Sequence, residues 1–223
     1  VGYTDQDLVF GAAAFDTALF DSTGATPTGS VFDYYRWASG GRMTVTGKVV
    51  ATVRVANDKL FYGFNSWGLS RTSTPRNIAG LVKEALDSCA AGVNWSDYDL
   101  DGDGYVDMLW VVHAGIGGEA SPDRYDNDLW SITSTLSGYW SFTNVYTTSD
   151  PVPGSTTRFV KIARFTTLPE LSPLRAGDQY DVVVLDNDLV PAVAADGLLD
   201  PLDFRLVTNF KNDQGIDLSH DRM

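Results

Sequence analysis

The chain has one cysteine, Cys89, two histidines, His113 and His220, and 16 basic residues against 29 acidic ones in a total of 223. Each shortage excludes something. A single cysteine closes no disulfide within the chain and builds no cysteine metal cluster. Cys89 falls on the apolar stripe of a predicted helix and reads as a small buried hydrophobe. With a net charge of −13 there is no basic surface to release phosphate counterions, so neither nucleic acid nor an anionic membrane is expected as a partner. No stretch reaches the roughly 18 apolar residues of a membrane span, so no membrane insertion is expected. The sequence opens on Val1 without a basic and apolar leader. That reads as a mature form after loss of a signal or pro-segment.

Apolar residues are well supplied, at 43% of the chain, with 12% aromatic. A real core can therefore be buried, in one large domain or in a domain with a small appendage. Residues Asp5 to Phe20, around "FGAAAF", are compatible with either helix or strand. Ser30 caps a short predicted helix, "VFDYYRWAS", which Gly40 and Gly41 end. "RMTVTGKVVATVRV" alternates, is β-branched, and reads as a strand bent at Gly47. The clearest helix is "TPRNIAGLVKEALDSCAAG", with Thr74 as cap and Pro75 in the first turn. Ile78, Leu81, Val82, Ala85, Leu86 and Cys89 form its apolar stripe. "VDMLWVVHAG" is a nearly continuous apolar run, as a buried central strand requires. Beyond Ser149 the chain turns β-rich, in "RFVKIARFT", "QYDVVVLDNDLVPAV" and "LDFRLVTNF". It is either a small appendage or the remainder of the main sheet. The expectation is an α/β or α+β fold, a mixed sheet with packed helices, divided as 1–148 and 149–223.

Between the clear helix and the apolar run lies "WSDYDLDGDGYVD", with alternate aspartates and a glycine. Calcium takes six to eight oxygens from a loop that curls around it. With Asp99 at loop position one, Asp101 and Asp103 take positions three and five, the Tyr105 carbonyl position seven and Asp107 position nine. Asp97 is a further candidate. Position twelve is Trp110, so the bidentate glutamate of an EF-hand is missing, and a strand follows rather than a helix. A calcium site of DxDxDG type that is not an EF-hand is expected. The bland alternative is a solvated acidic turn, in which five close carboxylates would repel one another.

"GSVFDYYRWASGGRMTVTGKV", "LFYG", "LVKEALDSCAAGVNWSDYDLDGDGYVDMLWVVHAGIGGE" and "NDLWSITSTL" occur in one order. In that order the segment from Ser30 to about Trp140 resembles the immune inhibitor A family of secreted zinc metallopeptidases. The resemblance implies a metallopeptidase-like scaffold, an extracellular or cell-surface location and catalysis by HExxH, which puts two histidines on zinc one helical turn apart. No HExxH occurs in this sequence. Ile132 stands where the family has a histidine. Ala163, Arg164, Phe165, Thr166 and Thr167 can be set against the five motif residues, with "LPEL" after them. Zinc is therefore not expected from this chain alone.

The remaining candidates are secondary. His113 ends the apolar strand and Glu119 follows "GIGG"; the ordinary readings are a structural histidine and a surface carboxylate. His220 lies near the end of the sequence. "DNDLWS", with Asp126, and the turn at Asp186 and Asp188 are acidic turns that Asx chemistry explains. "GIGG" lacks the lysine of a phosphate loop, and no GxSxG elbow is present. The aromatics of "FDYYRW" and "LFYGFNSW" read as core. The sequence thus predicts a calcium-stabilised, non-catalytic relative with a protein or peptide partner or a surface-assembly role. An incomplete secreted zinc endopeptidase and a self-assembling filament or coat subunit are the alternatives.

Overall fold

The computed structural model describes residues 1–24, 26, 29–121, 127–139 and 145–171. They fall into two compact units, one holding Val1–Asp16 with the described residues from Lys48 onward, the other the described residues within Thr17–Gly47. The expected strands after Leu171, with Asp186, Asp188 and His220, lie outside the described residues, as does Asp126.

In the larger unit the core is a three-stranded sheet. Its order is β1 (Trp110–Ile116), β5 (Arg164–Leu171), β2 (Ile132–Thr135). β1 and β5 run parallel, with Trp110 opposite Thr166 and His113 opposite Pro169. β2 is antiparallel to β5, with Ile132 opposite Thr167. The later part of the apolar run at 106–115 thus becomes strand, from Trp110, with buried Val111, His113 and Ala114. On its other side Val1 continues the hydrogen bonding. Its nitrogen donates to the Val112 carbonyl at 2.6 Å. The Ala114 nitrogen donates to the Val1 carbonyl at 2.9 Å. Gly2 then pairs outward with Val53 and Val55.

That outward pairing is all the ladder the expected strand at 42–55 acquires. Only Arg54 forms a bridge, opposite Gly2. The alternating pattern is present, but a strand exists only where a neighbour supplies matching donors and acceptors, and residues 44–53 form no ladder here. By contrast Asp5 to Phe20, ambiguous in sequence, contains a helix, α1 (Ala12–Phe20).

α3 (Lys59–Gly63) and α4 (Ile78–Cys89) add Tyr62 and an apolar stripe to the core, which also takes in Val160 and Ile162 of the later hairpin. The stripe Ile78, Leu81, Val82 and Leu86 packs with Trp95, Val111, Leu136 and Phe165 in one cluster. Each such side chain contributes roughly 1.5–3 kcal/mol on burial. The cap of α4 is Asn77, not Thr74: its side chain accepts from the Gly80 nitrogen at 2.9 Å. The helix begins later than Pro75 suggests because Asn77 has the extended backbone and short acceptor a cap needs. Cys89 is only partly buried, at the helix end, and burial raises its thiol pKa.

A second sheet is the hairpin of β3 (Tyr146–Pro151) and β4 (Phe159–Ile162). The expected division at 148/149 falls inside β3. Of the described later chain, β5 joins the main sheet, whereas β3 and β4 pair only with each other. α5 (Leu136–Tyr139) follows β2.

The smaller unit contains α2 (Val31–Ala38), capped as the sequence indicates. The Asp33 nitrogen donates to Ser30 Oγ at 3.1 Å and the Ser30 nitrogen to Asp33 Oδ2 at 3.0 Å, a complete capping box. The aromatics of this helix are not core: Trp37 is 77% exposed.

Candidate cation site and the carboxyl edge of the sheet

A 3-10 turn, Trp95–Tyr98, leads from α4 into the acidic loop. Trp95 is buried in the core, and its backbone nitrogen donates to Asp150 Oδ2 of β3 at 2.9 Å. The loop then curls through Gly102 and Gly104, at φ +75° and +94°, a conformation that favours glycine. The curl brings one carboxylate oxygen each from Asp99, Asp101 and Asp103 within 4.8 Å of one another.

Local hydrogen bonds set these carboxylates. The Asp103 nitrogen donates to Asp101 Oδ1 at 3.0 Å, and the Tyr105 nitrogen to Asp103 Oδ1 at 2.7 Å. The Gly104 nitrogen donates to Asp99 Oδ2 at 3.1 Å. Asp99 is 5% exposed, and its Oδ1 is buried with no hydrogen-bond partner among the described residues. A buried carboxylate oxygen left unpaired is costly, and a bound cation would relieve that cost. Asp107 and Asp97 stand outside the group. Asp107 Oδ2 accepts from the Leu100 nitrogen at 3.2 Å, and Asp97 Oδ1 accepts from Asn94 Nδ2 at 2.8 Å.

The donor set is all oxygen. It fits a hard cation such as calcium and does not fit zinc, which is bound in peptidases mainly through imidazole nitrogens. The other face of that test is the position of residues 163–167. A motif that sets two histidines one turn apart requires a helix, whereas Arg164, Phe165, Thr166 and Thr167 lie on β5. They are not the counterpart of HExxH.

His113 does not end the strand, as its sequence position suggests, but is the central residue of β1, which runs on to Ile116; Glu119 lies beyond that end, and the two do not form a pair. The His113 ring is fully buried; its Nδ1 lies 3.1 Å from the Ala114 carbonyl, and its Nε2 has no partner among the described residues. Because a carbonyl only accepts, Nδ1 carries the proton. Burial holds the imidazole pKa at about 4. Glu119 is exposed and accepts from the Ser131 hydroxyl and backbone nitrogen. Neither arrangement makes a poised acid–base couple. The aromatics nearby divide between roles. Tyr62 is core, whereas Trp67 meets the 38%-exposed Trp130 edge-on at 5.8 Å and Arg76 stacks on Phe64 at 3.7 Å.

Sequence reasoning missed four residues. Tyr3 is fully buried with an unpartnered hydroxyl, and burial pushes its pKa well above the usual value. Glu170 is 5% exposed; its Oε1 accepts from the Phe10 nitrogen at 2.5 Å and its Oε2 has no partner among the described residues. A lone carboxylate in the apolar "LPEL" was the available signal for it. Arg158 and Lys161, which hold the acidic loop, had no signal at all.

Comparison with known proteins agrees with the resemblance of the central block. Residues 3–174 match the family described as immune inhibitor A peptidase M6, catalytic domain. The pre-pro-metalloprotease PrtV of Vibrio cholerae serotype O1 (strain M66-2) is 32% identical over 146 residues, covering 56% of this chain and 16% of that protein. Immune inhibitor A of Bacillus thuringiensis subsp. alesti is 32% identical over 113 residues, covering 44% of this chain and 16% of that protein. The chain thus spans about a sixth of the length of these relatives. Mixed sheet, helices and sequence match agree: the chain belongs to the immune inhibitor A family of M6 peptidases.

Proposed function

We propose that the 223 residues form a calcium-stabilised, extracellular domain of the immune inhibitor A type that does not itself cleave peptides. Its role is to bind a polypeptide partner or to take part in assembly at a cell surface. The calcium part rests on one observation, the buried and unpartnered Asp99 Oδ1 within a group of three carboxylates. Asp99, Asp101 and Asp103 would hold the ion, with the Tyr105 carbonyl beside them. Asp107 would act through the loop backbone, by accepting from the Leu100 nitrogen. When bound, calcium supplies charge compensation and cross-links a loop that otherwise repels itself. The non-cleaving part rests on the sequence, which contains no HExxH. An extracellular setting suits a calcium-binding loop and an acidic chain of net charge −13. No helix among the described residues is long and apolar enough to cross a membrane.

A second reading, a zinc endopeptidase of which this is one portion, is favoured by the 16% coverage of each relative. Metal analysis and a casein cleavage assay separate the two. The proposal expects calcium without stoichiometric zinc, and no cleavage in either metal. Cleavage by the purified chain that a zinc chelator abolishes would sink it.

A further inference from the structure

We infer that Arg158 of the β3–β4 hairpin is a positioning residue for the acidic loop and sets how tightly that loop holds calcium. The inference rests on the calcium reading above. The loop from Asp99 to Asp107 has little ladder of its own, and β4 supplies the missing frame. The Lys161 nitrogen donates to the Gly104 carbonyl at 2.9 Å, and the Val106 nitrogen donates to the Lys161 carbonyl at 2.8 Å. Together they make the parallel bridge of Tyr105 with Lys161. In extended backbone the N–H and C=O of one residue share a side, and its neighbours' face the other way. With Gly104 and Val106 turned to β4, the N–H and C=O of Tyr105 turn away from it. The N–H does meet Asp103 Oδ1, at 2.7 Å. The Tyr105 carbonyl is thereby aimed to the aspartate side.

The decisive contact is one residue earlier. Arg158 Nη2 donates to the Asp103 carbonyl at 2.9 Å. The same peptide unit carries the Gly104 nitrogen, which donates to Asp99 Oδ2 at 3.1 Å. In a trans peptide the C=O and N–H point in opposite directions. Arg158 and Asp99 therefore hold one peptide plane from its two sides. Holding that plane orients the Asp99 carboxylate and leaves its Oδ1 free for the ion. The fit is close: a Cβ on Gly104 would lie 2.9 Å from Arg158 Nη2 and 3.3 Å from Val152 Cγ2. Among the described residues Arg158 forms no ion pair; its contact is to the Asp103 backbone carbonyl rather than to an aspartate side chain.

The test is calcium titration calorimetry on chelator-stripped protein, comparing wild type, Arg158→Met and Arg158→Lys. Methionine keeps much of the apolar stem and removes the donor; lysine keeps a donor and the charge. Melting in chelator, where loop occupancy plays no part, should be nearly the same for all three, because Arg158 is exposed. Arg158→Met should bind calcium about fivefold more weakly, the worth of one ordinary hydrogen bond, and Arg158→Lys should recover most of the loss. Equal or tighter binding by Arg158→Met would overturn the inference, because a merely repelling cation gives that result. Equal loss in both variants also overturns it. No calcium binding by the wild type overturns the calcium reading itself.

Discussion

The Nδ1 atom of His113 lies 3.1 Å from the carbonyl of Ala114, its own neighbour, and this contact fixes which nitrogen carries the proton. The other nitrogen is buried without a partner among the described residues, and the imidazole pKa sits at about 4 against an ordinary 6.5. The unfolded chain therefore takes up a proton between pH 6.5 and 4 that the folded chain refuses. Stability from this group is complete above pH 6.5 and is lost as the pH falls to about 4, on the order of 3 kcal/mol in all. Urea unfolding at pH 7 and pH 5 should show the effect. Wild type should lose about 2 kcal/mol more than a His113→Gln variant over that interval. Parallel losses in the two proteins would mean that other groups carry the pH dependence.

Calcium should act on stability by mass action, since a ligand held only by the folded loop shifts the equilibrium towards it. At one hundred times its dissociation constant the gain is about 2.7 kcal/mol, or roughly 5–10 °C in melting temperature for a chain of this size. Scanning calorimetry with calcium and with chelator measures it. A variant carrying both Asp101→Ala and Asp103→Ala should melt at the same temperature in the two buffers. An unchanged wild-type midpoint on chelation would refute the ion site.

Asn77 should matter more than its place in a loop suggests. It is fully buried, and besides capping α4 its Nδ2 donates to the Ser70 carbonyl at 2.9 Å and to Thr74 Oγ1 at 2.8 Å. Asn77→Ala removes the cap and leaves buried partners unpaired, so a loss of about 2–4 kcal/mol is expected. Thr74→Ala, expected from sequence to be the capping change, should cost under half as much. Chemical denaturation of the two variants gives the comparison, and a larger loss at Thr74 would return the cap to it.

These residues show what was legible. The buried strand at 110–116 and the stripe of α4 were readable because a continuous apolar run and a 3.6-residue rhythm are local signals. The aspartate loop was readable for the same reason. The segment at 44–53 has an equally local alternation yet forms no ladder, because pairing depends on a neighbour that the segment does not encode. Val1 bonds to β1, and Gly2 to the chain at 53–55, although so short a segment carries no pattern. Arg158 meets the Asp103 carbonyl across 55 positions, so nothing near either residue announces the contact. The alternate aspartates were a local pattern; that Asp99, Asp101 and Asp103 converge while Asp107 turns to the Leu100 nitrogen, and the frame that orients the loop, are tertiary properties.

Gly80 offers a last and sharper test of the packing between α4 and the segment before it. Replacing a helical glycine by alanine ordinarily stabilises by up to about 1 kcal/mol, through helix propensity and loss of freedom in the unfolded chain. At Gly80 an added Cβ would stand 1.9 Å from the carbonyl oxygen of Pro75 and 2.7 Å from its carbon. Those are backbone atoms, so no side chain can swing aside. The propensity gain is therefore outweighed, and Gly80→Ala should destabilise by about 2 kcal/mol or more. Gly92, where a Cβ would meet nothing within 4 Å, is the control: Gly92→Ala should be neutral or slightly stabilising. Denaturant midpoints decide between them. Equal behaviour of the two variants would show that the chain from Pro75 to Asn77 does not pack against α4 as closely as these distances require.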